Sequence, residues 1–164
     1  MGMLDELLYI KTFRKDQAET ALLVARAQLA HAHRVEDEAR QRLSRFQTQA
    51  EQDERAWYQD LCSRLVRPRE IAEVQLEVAI LRAEEQARIE ALAQAGRERT
   101  QAQSHYTGAA DTLQVASATR SKFEELAAQH HATERRELER REEQELEEVA
   151  GHPRRRDDEE TQPP

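Results

Sequence analysis

The sequence predicts an all-α fold: a long two-helix antiparallel coiled-coil hairpin with a disordered C-terminal tail. Three observations predict it. Ala, Glu, Arg, Gln and Leu dominate a chain of 164 residues that is 38% hydrophobic and 35% charged. These residue types lose little rotamer freedom in a helix and are typical of coiled coils. Apolar residues recur with a mean spacing of 3.5 along two long stretches, the period of a left-handed supercoil. Between the stretches stands one proline, Pro68.

The first arm begins at Leu4 and runs to Leu65 without Pro or Gly. Its seam series is Leu4, Leu8, Lys11, Lys15, Ala18, Leu22, Ala25, Leu29, Ala32, Glu36, Ala39, Leu43, Phe46, Ala50, Asp53 and Trp57, of which twelve of sixteen are apolar. The turn falls near residues 66–70, Val66-Arg67-Pro68-Arg69-Glu70. Proline inside a helix loses a hydrogen bond and clashes with the preceding turn, at a cost of about 3 kcal/mol. It also pushes the residue before it out of the α region.

The second arm runs from Ile71 to about Val149, interrupted only by Gly96 and Gly108. Each glycine costs roughly 1 kcal/mol and is tolerated. The seam series here is Ile71, Val74, Val78, Leu81, Glu85, Arg88, Leu92, Ala95, Arg99, Ala102, Tyr106, Ala109, Leu113, Ala116, Arg120, Phe123 and Ala127, of which thirteen of seventeen are apolar. A turn centred between Arg67 and Pro68 sets residue i opposite residue 135 minus i. Seam then meets seam throughout: Leu8 with Ala127, Leu22 with Leu113, Leu43 with Leu92, Trp57 with Val78. Glu36 falls opposite Arg99, an opposite-charge layer that fixes register. Lys15 falls opposite Arg120, a like-charge layer expected to weaken the coil and free both side chains. The hairpin is expected to span residues 4–149. After about residue 131 the second arm has no counterpart and reads as a solvated charged helix. Residues 150–164, with Gly151, Pro153 and a charged terminus, are expected to be a disordered tail.

Composition also excludes function classes. A net charge of −8, with Arg and Glu interleaved, argues against a nucleic-acid partner, which needs concentrated basic surface. No apolar run approaches the ~20 residues that cross a bilayer, so no membrane insertion is expected. The N-terminus has neither a basic segment nor an apolar one of the kind a cleavable signal carries. Cys62 is the only cysteine, so no internal disulfide forms, which fits a reducing cytosol. There is no Gly-rich phosphate loop, no GxSxG elbow and no HExxH, so neither enzymatic chemistry nor a cofactor is expected. His31 and His33 point away from each other on a helix, and so do His130 and His131; all four read as solvated. Carboxylate pairs such as Glu84-Glu85 lie on a solvated face, with no dry pocket to shift them. Cys62 reads as a small packing residue near the turn.

Two aromatic clusters stand out in a chain with only seven aromatics. Trp57 and Tyr58 are consecutive and cannot both face one seam, so at least one is exposed beside arginine, as in binding hot spots. Leu4, Leu7, Leu8, Tyr9, Ile10 and Phe13 form a band wider than one partner helix covers. For each cluster the alternatives are a binding surface and partial packing against the hairpin's own second arm.

Two short motifs resemble a known family. Leu7-Leu8-Tyr9-Ile10-Lys11-Thr12-Phe13-Arg14-Lys15-Asp16-Gln17-Ala18-Glu19 resembles the opening of the YscO-type stalk proteins of bacterial type III secretion, with its Leu-x-Ile-Lys-x-x-Arg-x-x-x-Ala-Glu pattern. Ser121-Lys122-Phe123-Glu124-Glu125-Leu126 resembles that family's late Lys-Phe-x-x-Leu segment. FliJ is the flagellar relative. The resemblance implies a central stalk, similar to the γ subunit of rotary ATPases. Its base, where both termini meet, enters a hexameric secretion ATPase, and its tip faces the cytosolic ring of the export gate. It also implies handling of secretion chaperones and a cytoplasmic location at the cytosolic face of the apparatus. The ATPase-binding residues so implied are Leu7, Leu8, Tyr9, Ile10, Lys11, Arg14, Lys122, Phe123 and Leu126. The gate-binding residues are Trp57, Tyr58, Leu61 and Arg64. The other class left open is a coiled-coil scaffold or tether that dimerises side by side without an ATPase.

Overall fold

Two capped ends define the helices. At the N-terminus the carbonyl of Gly2 accepts the amides of Asp5 and Glu6, each at 3.1 Å, while the Asp5 carboxylate accepts the Gly2 amide at 3.2 Å. At the turn the carbonyl of Arg67 accepts the amides of Glu70 and Ile71, and the Glu70 carboxylate accepts the Arg67 amide at 2.8 Å. In both places an acid three residues into the helix satisfies a backbone donor that the first turn leaves orphaned. Pro68, between Arg67 and Glu70, is the first helical residue, where its missing N–H costs nothing and its fixed φ helps.

The computed structural model describes residues 2–151. Among them are α1, Met3–Ser63, and α2, Pro68–Gly151, with no strand. The expected hairpin is therefore built of two uninterrupted helices, joined by residues 64–67 with no residue at positive φ. Ala150 and Gly151 are still helical; the remainder of the expected tail, residues 152–164, lies outside the described residues.

The chain divides into two compact units, Arg14–Ala116 and Met1–Phe13 with Ser117–Pro164. The Arg14–Ala116 unit contains the turn and the facing lengths of both helices. Here Arg99 Nε meets the Glu36 carboxylate, as the 135 register requires. Arg82 reaches Glu54 at 2.9 Å, and the Arg88 guanidinium stacks 4.0 Å from the Phe46 ring centre, both within one residue of the same register. In the other unit the start of α1 pairs with α2 from Ser117 onward. Lys11 lies 5.3 Å from the Phe123 ring centre and His131 bonds Asp5 at 2.9 Å, again within one residue of the register.

Burial follows the seam. Among the described residues the buried ones are Ala18, Ala25, Ala50, Ala95 and Ala127, every one a seam position. All sixteen positions of the first series are buried or half-buried. The second series has one exception, Ile71, which is exposed. Its counterpart in the register is Arg64, already beyond the end of α1, so no helix lies over it.

The eight polar interruptions of the seam all have partners. Glu36 binds Arg99 and Arg40, Glu85 binds Arg82, and Asp53 accepts from Gln49 at 2.9 Å. Lys11 and Arg88 lie against aromatic rings, the first of these placing ammonium charge near the face of Phe123. One expectation is corrected: Lys15 and Arg120 are not freed by mutual repulsion. Lys15 pairs with Glu19 at 3.0 Å, while Arg120 pairs with Glu124 at 3.3 Å and donates to Thr12. A carboxylate one turn along its own helix neutralises each.

Candidate functional site: two surfaces at the motifs and the turn

The unit holding both chain ends brings the two sequence motifs together. Lys11, from the first motif, stands over Phe123, from the second, and both are half-buried. Leu7 and Leu8 are half-buried beside them in sequence, whereas Tyr9 is 71% exposed and Ile10, Lys122 and Leu126 are also exposed. The helical spacing explains the split. Leu8 and Lys11 face the seam, and Tyr9 and Ile10 are carried round to solvent. Phe13 is exposed too. Arg14 is exposed and belongs to the Arg14–Ala116 unit. The apolar band around Leu4–Phe13 is thus half used in folding, by Leu4, Leu7 and Leu8, and half left outside.

The sequence reading missed an ion-pair clasp in this unit. The Asp5 carboxylate divides its oxygens between the Gly2 amide and Nε2 of His131, and Nδ1 of His131 lies 3.6 Å from Glu134. The hydrogen bond to Asp5 raises the His131 pKa above its ordinary range; the same bond, with that from Gly2, lowers Asp5. His130 pairs with Glu134 at 3.0 Å. Both histidines read as merely solvated because one partner, Asp5, is a helix-capping acid in a distant part of the sequence, and the other, Glu134, lies in a stretch dense with charge. From Thr133 to Gly151 every residue of α2 is exposed, including Leu138, Leu146 and Val149.

At the turn, Trp57 and Leu61 are half-buried and Tyr58 is exposed, as consecutive helical positions demand. Trp57, Leu61 and Val74 form the apolar floor of a shallow depression rimmed by Asp60, Glu70, Glu73 and Glu77. Arg64 bridges that rim, to Asp60 at 3.1 Å and to Glu70 at 3.0 Å. The two carboxylates raise its pKa. Glu70 is lowered, first by the Arg67 amide it accepts and then by Arg64. Arg64 is therefore tied into closing the turn. The most exposed apolar residue here, Leu65, is fully exposed and absent from the sequence-based set. It lies past the end of α1 at Ser63, in the turn, where the helical spacing no longer says which way a side chain faces.

Among the described residues no cluster of three or more His, Cys, Asp or Glu can hold a metal ion. No helix among them is long and apolar enough to cross a membrane. Cys62 is exposed rather than packed, because it stands one helical position past the half-buried Leu61 and is carried round to solvent.

Comparison with known proteins gives one family. A family model described as type III secretion protein YscO matches residues 4–152. No curated protein matches the chain closely enough to be counted a relative. Among solved structures, the 2.8 Å crystal structure of type III secretion protein YscO from Vibrio parahaemolyticus is similar in fold. Its TM-score is 0.83 at 23% sequence identity, over 89% of this chain and 92% of that one. With the family match spanning both helices, the chain belongs to the YscO family of type III secretion proteins, and its role lies in type III secretion.

Proposed function

We propose that this protein is the central stalk of a type III secretion ATPase complex, coupling a hexameric ATPase to the cytosolic ring of the export gate. It works at the cytosolic face of the apparatus and also engages secretion chaperones. The observation that carries this reading is the shared surface at the chain ends. Two motifs far apart in sequence meet at the Lys11–Phe123 contact, and around it Tyr9, Ile10, Lys122 and Leu126 remain exposed. Tyr9, Ile10 and Phe13 form a cluster of exposed apolar side chains beside that contact, a surface suited to a protein partner. Such a stalk does no chemistry. It transmits work by binding successive conformations of the ring with different free energies.

The test separates the two ends. Tyr9→Asp with Ile10→Asp removes the exposed apolar surface of the base without touching the half-buried Phe123. This variant is expected to lose stimulation of the cognate secretion ATPase while keeping its helical melting. Leu65→Asp at the turn is expected to leave ATPase stimulation intact and weaken recovery of the export-gate ring. If the effects exchange places, the orientation is reversed. If neither variant alters either partner, the protein is a scaffold rather than a stalk.

A further inference from the structure

The outward face of α1 carries a second seam. Asp16, Thr20, Leu23, Ala27, Ala30 and Arg34 are all exposed and lie within the Arg14–Ala116 unit. Their spacings are four, three, four, three and four residues, the pattern of a coiled-coil stripe. Leu23 is 66% exposed and the adjacent Val24 is 52% exposed. The Thr20 hydroxyl is spent on the Asp16 carbonyl at 3.1 Å, within its own helix. Between Thr20 and His33 the only charged residue is Arg26, in a chain that is 35% charged overall. The ends of the stripe are an acid and a base, and among the described residues neither Asp16 nor Arg34 has an ion-pair partner.

We propose that this stripe is a self-association surface on which α1 of a second copy of the chain packs antiparallel about a two-fold axis. The spacing reads the same in both directions, so a copy turned end for end meets it in register. Asp16 then faces Arg34, Thr20 faces Ala30 and Leu23 faces Ala27, the residue numbers in each facing pair adding to 50. At the inner layers, Thr20 and Leu23 each meet an alanine, as knobs-into-holes packing needs. Each unpaired acid finds an unpaired base, twice by symmetry. A parallel arrangement would set Asp16 against Asp16 and Arg34 against Arg34. Charge also favours this site over others: the chain carries −8 in total, and two copies approach with least repulsion where charge is sparse. The seam is short, about 28 Å at 1.5 Å per residue, so the contact belongs to the weak, concentration-dependent class.

Sedimentation equilibrium on the full chain, from about 10 µM to about 1 mM, reads the result directly over the range in which contacts of this size assemble. The parent chain is expected to pass from monomer to dimer. Leu23→Glu, and separately Asp16→Arg, are expected to abolish the dimer, with helical melting unchanged because both positions are exposed. Asp16→Arg combined with Arg34→Asp is expected to restore it, since the swap recreates both pairs. A parent monomeric at every concentration overturns the proposal. So does a dimer that survives Leu23→Glu, or a double swap that behaves like the single reversal.

Discussion

Reversing charge at position 36 tests the register of the whole Arg14–Ala116 unit. The Glu36 side chain is only 13% exposed and sits between Arg99 across the seam and Arg40 one turn along its own helix. Glu36→Arg replaces two attractions with two repulsions at a largely dehydrated position. Removing one partner of a fully buried pair costs about 3–5 kcal/mol, and an exposed pair is worth ~0.2–1 kcal/mol. Arg99, at 34% exposure, brings water to one side of this layer. The expected cost therefore lies between those limits, about 2 kcal/mol. In a chain of this length that lowers the melting temperature by roughly 4–8 °C. Arg99→Glu alone should cost less, because Glu36 keeps Arg40. The double reversal restores the cross-seam pair but leaves Arg40 beside a like charge, so recovery falls short by ~0.2–0.5 kcal/mol. Urea unfolding followed by circular dichroism supplies the four free energies. Single-variant costs that simply add, within about 0.5 kcal/mol, would refute the pairing of these residues.

Three further outcomes are expected. Gly108→Ala should stabilise the helix by about 0.5–1 kcal/mol, because nothing lies within 4 Å of the added Cβ; a lower melting temperature would contradict that. Gly96→Ala should gain a similar amount, since its Cβ would stand 3.6 Å from the Glu36 carboxylate, an ordinary van der Waals contact. The Asp5–His131 clasp should depend on pH in both directions. His131 is raised, so its contribution is complete below the ordinary histidine value of about 6.5 and fades as pH rises through the folded value. Asp5 is lowered, so its contribution is complete above the ordinary value of about 3.9 and fades as pH falls through the folded one. The melting difference between the parent and His131→Gln should therefore be larger at pH 5.5 than at pH 8, and an equal difference at both would remove the clasp.

The helices were legible because their signals are local and repeated. Seam spacing, helix-forming composition and one proline determine two helices and a turn, and every seam alanine buried in the structure lay in the two series. What the sequence concealed was pairing that periodicity does not encode. His131 finds Asp5 only because Asp5 caps α1 and the register carries His131 to it. Lys15 and Arg120 looked like a repulsive layer, but flexible side chains turned to Glu19 and Glu124 instead. Ile71 belonged to the seam by spacing and is exposed because α1 ends at Ser63. The candidate surfaces were legible in part. The aromatic pair at positions 57–58 forced one ring outward, whereas Leu65 was hidden by its place in a turn that periodicity could not resolve.

Side-chain size is distributed in the reverse of a globular core. Among the described residues the buried ones are all alanines, while Tyr9, Leu23, Leu65 and Val115 are each more than 60% exposed. Alanine in the seam lets the helices approach closely and makes each layer contribute little, so stability accumulates over many weak layers. Large apolar side chains on the outside contribute still less to folding, because they remove almost no surface from water within the chain. Substituting them by polar residues should change stability by no more than ~0.5 kcal/mol. Their cost in solvent is offset only when a partner covers them. That asymmetry makes the outward residues informative. At Tyr9, Ile10 and Leu65, a loss of partner binding with unchanged melting identifies a contact surface, whereas a loss of melting would assign the same residues to the fold. The seam alanines should show the opposite pattern. Ala95→Asp places a carboxylate in a dehydrated layer and should melt the hairpin whether or not a partner is present.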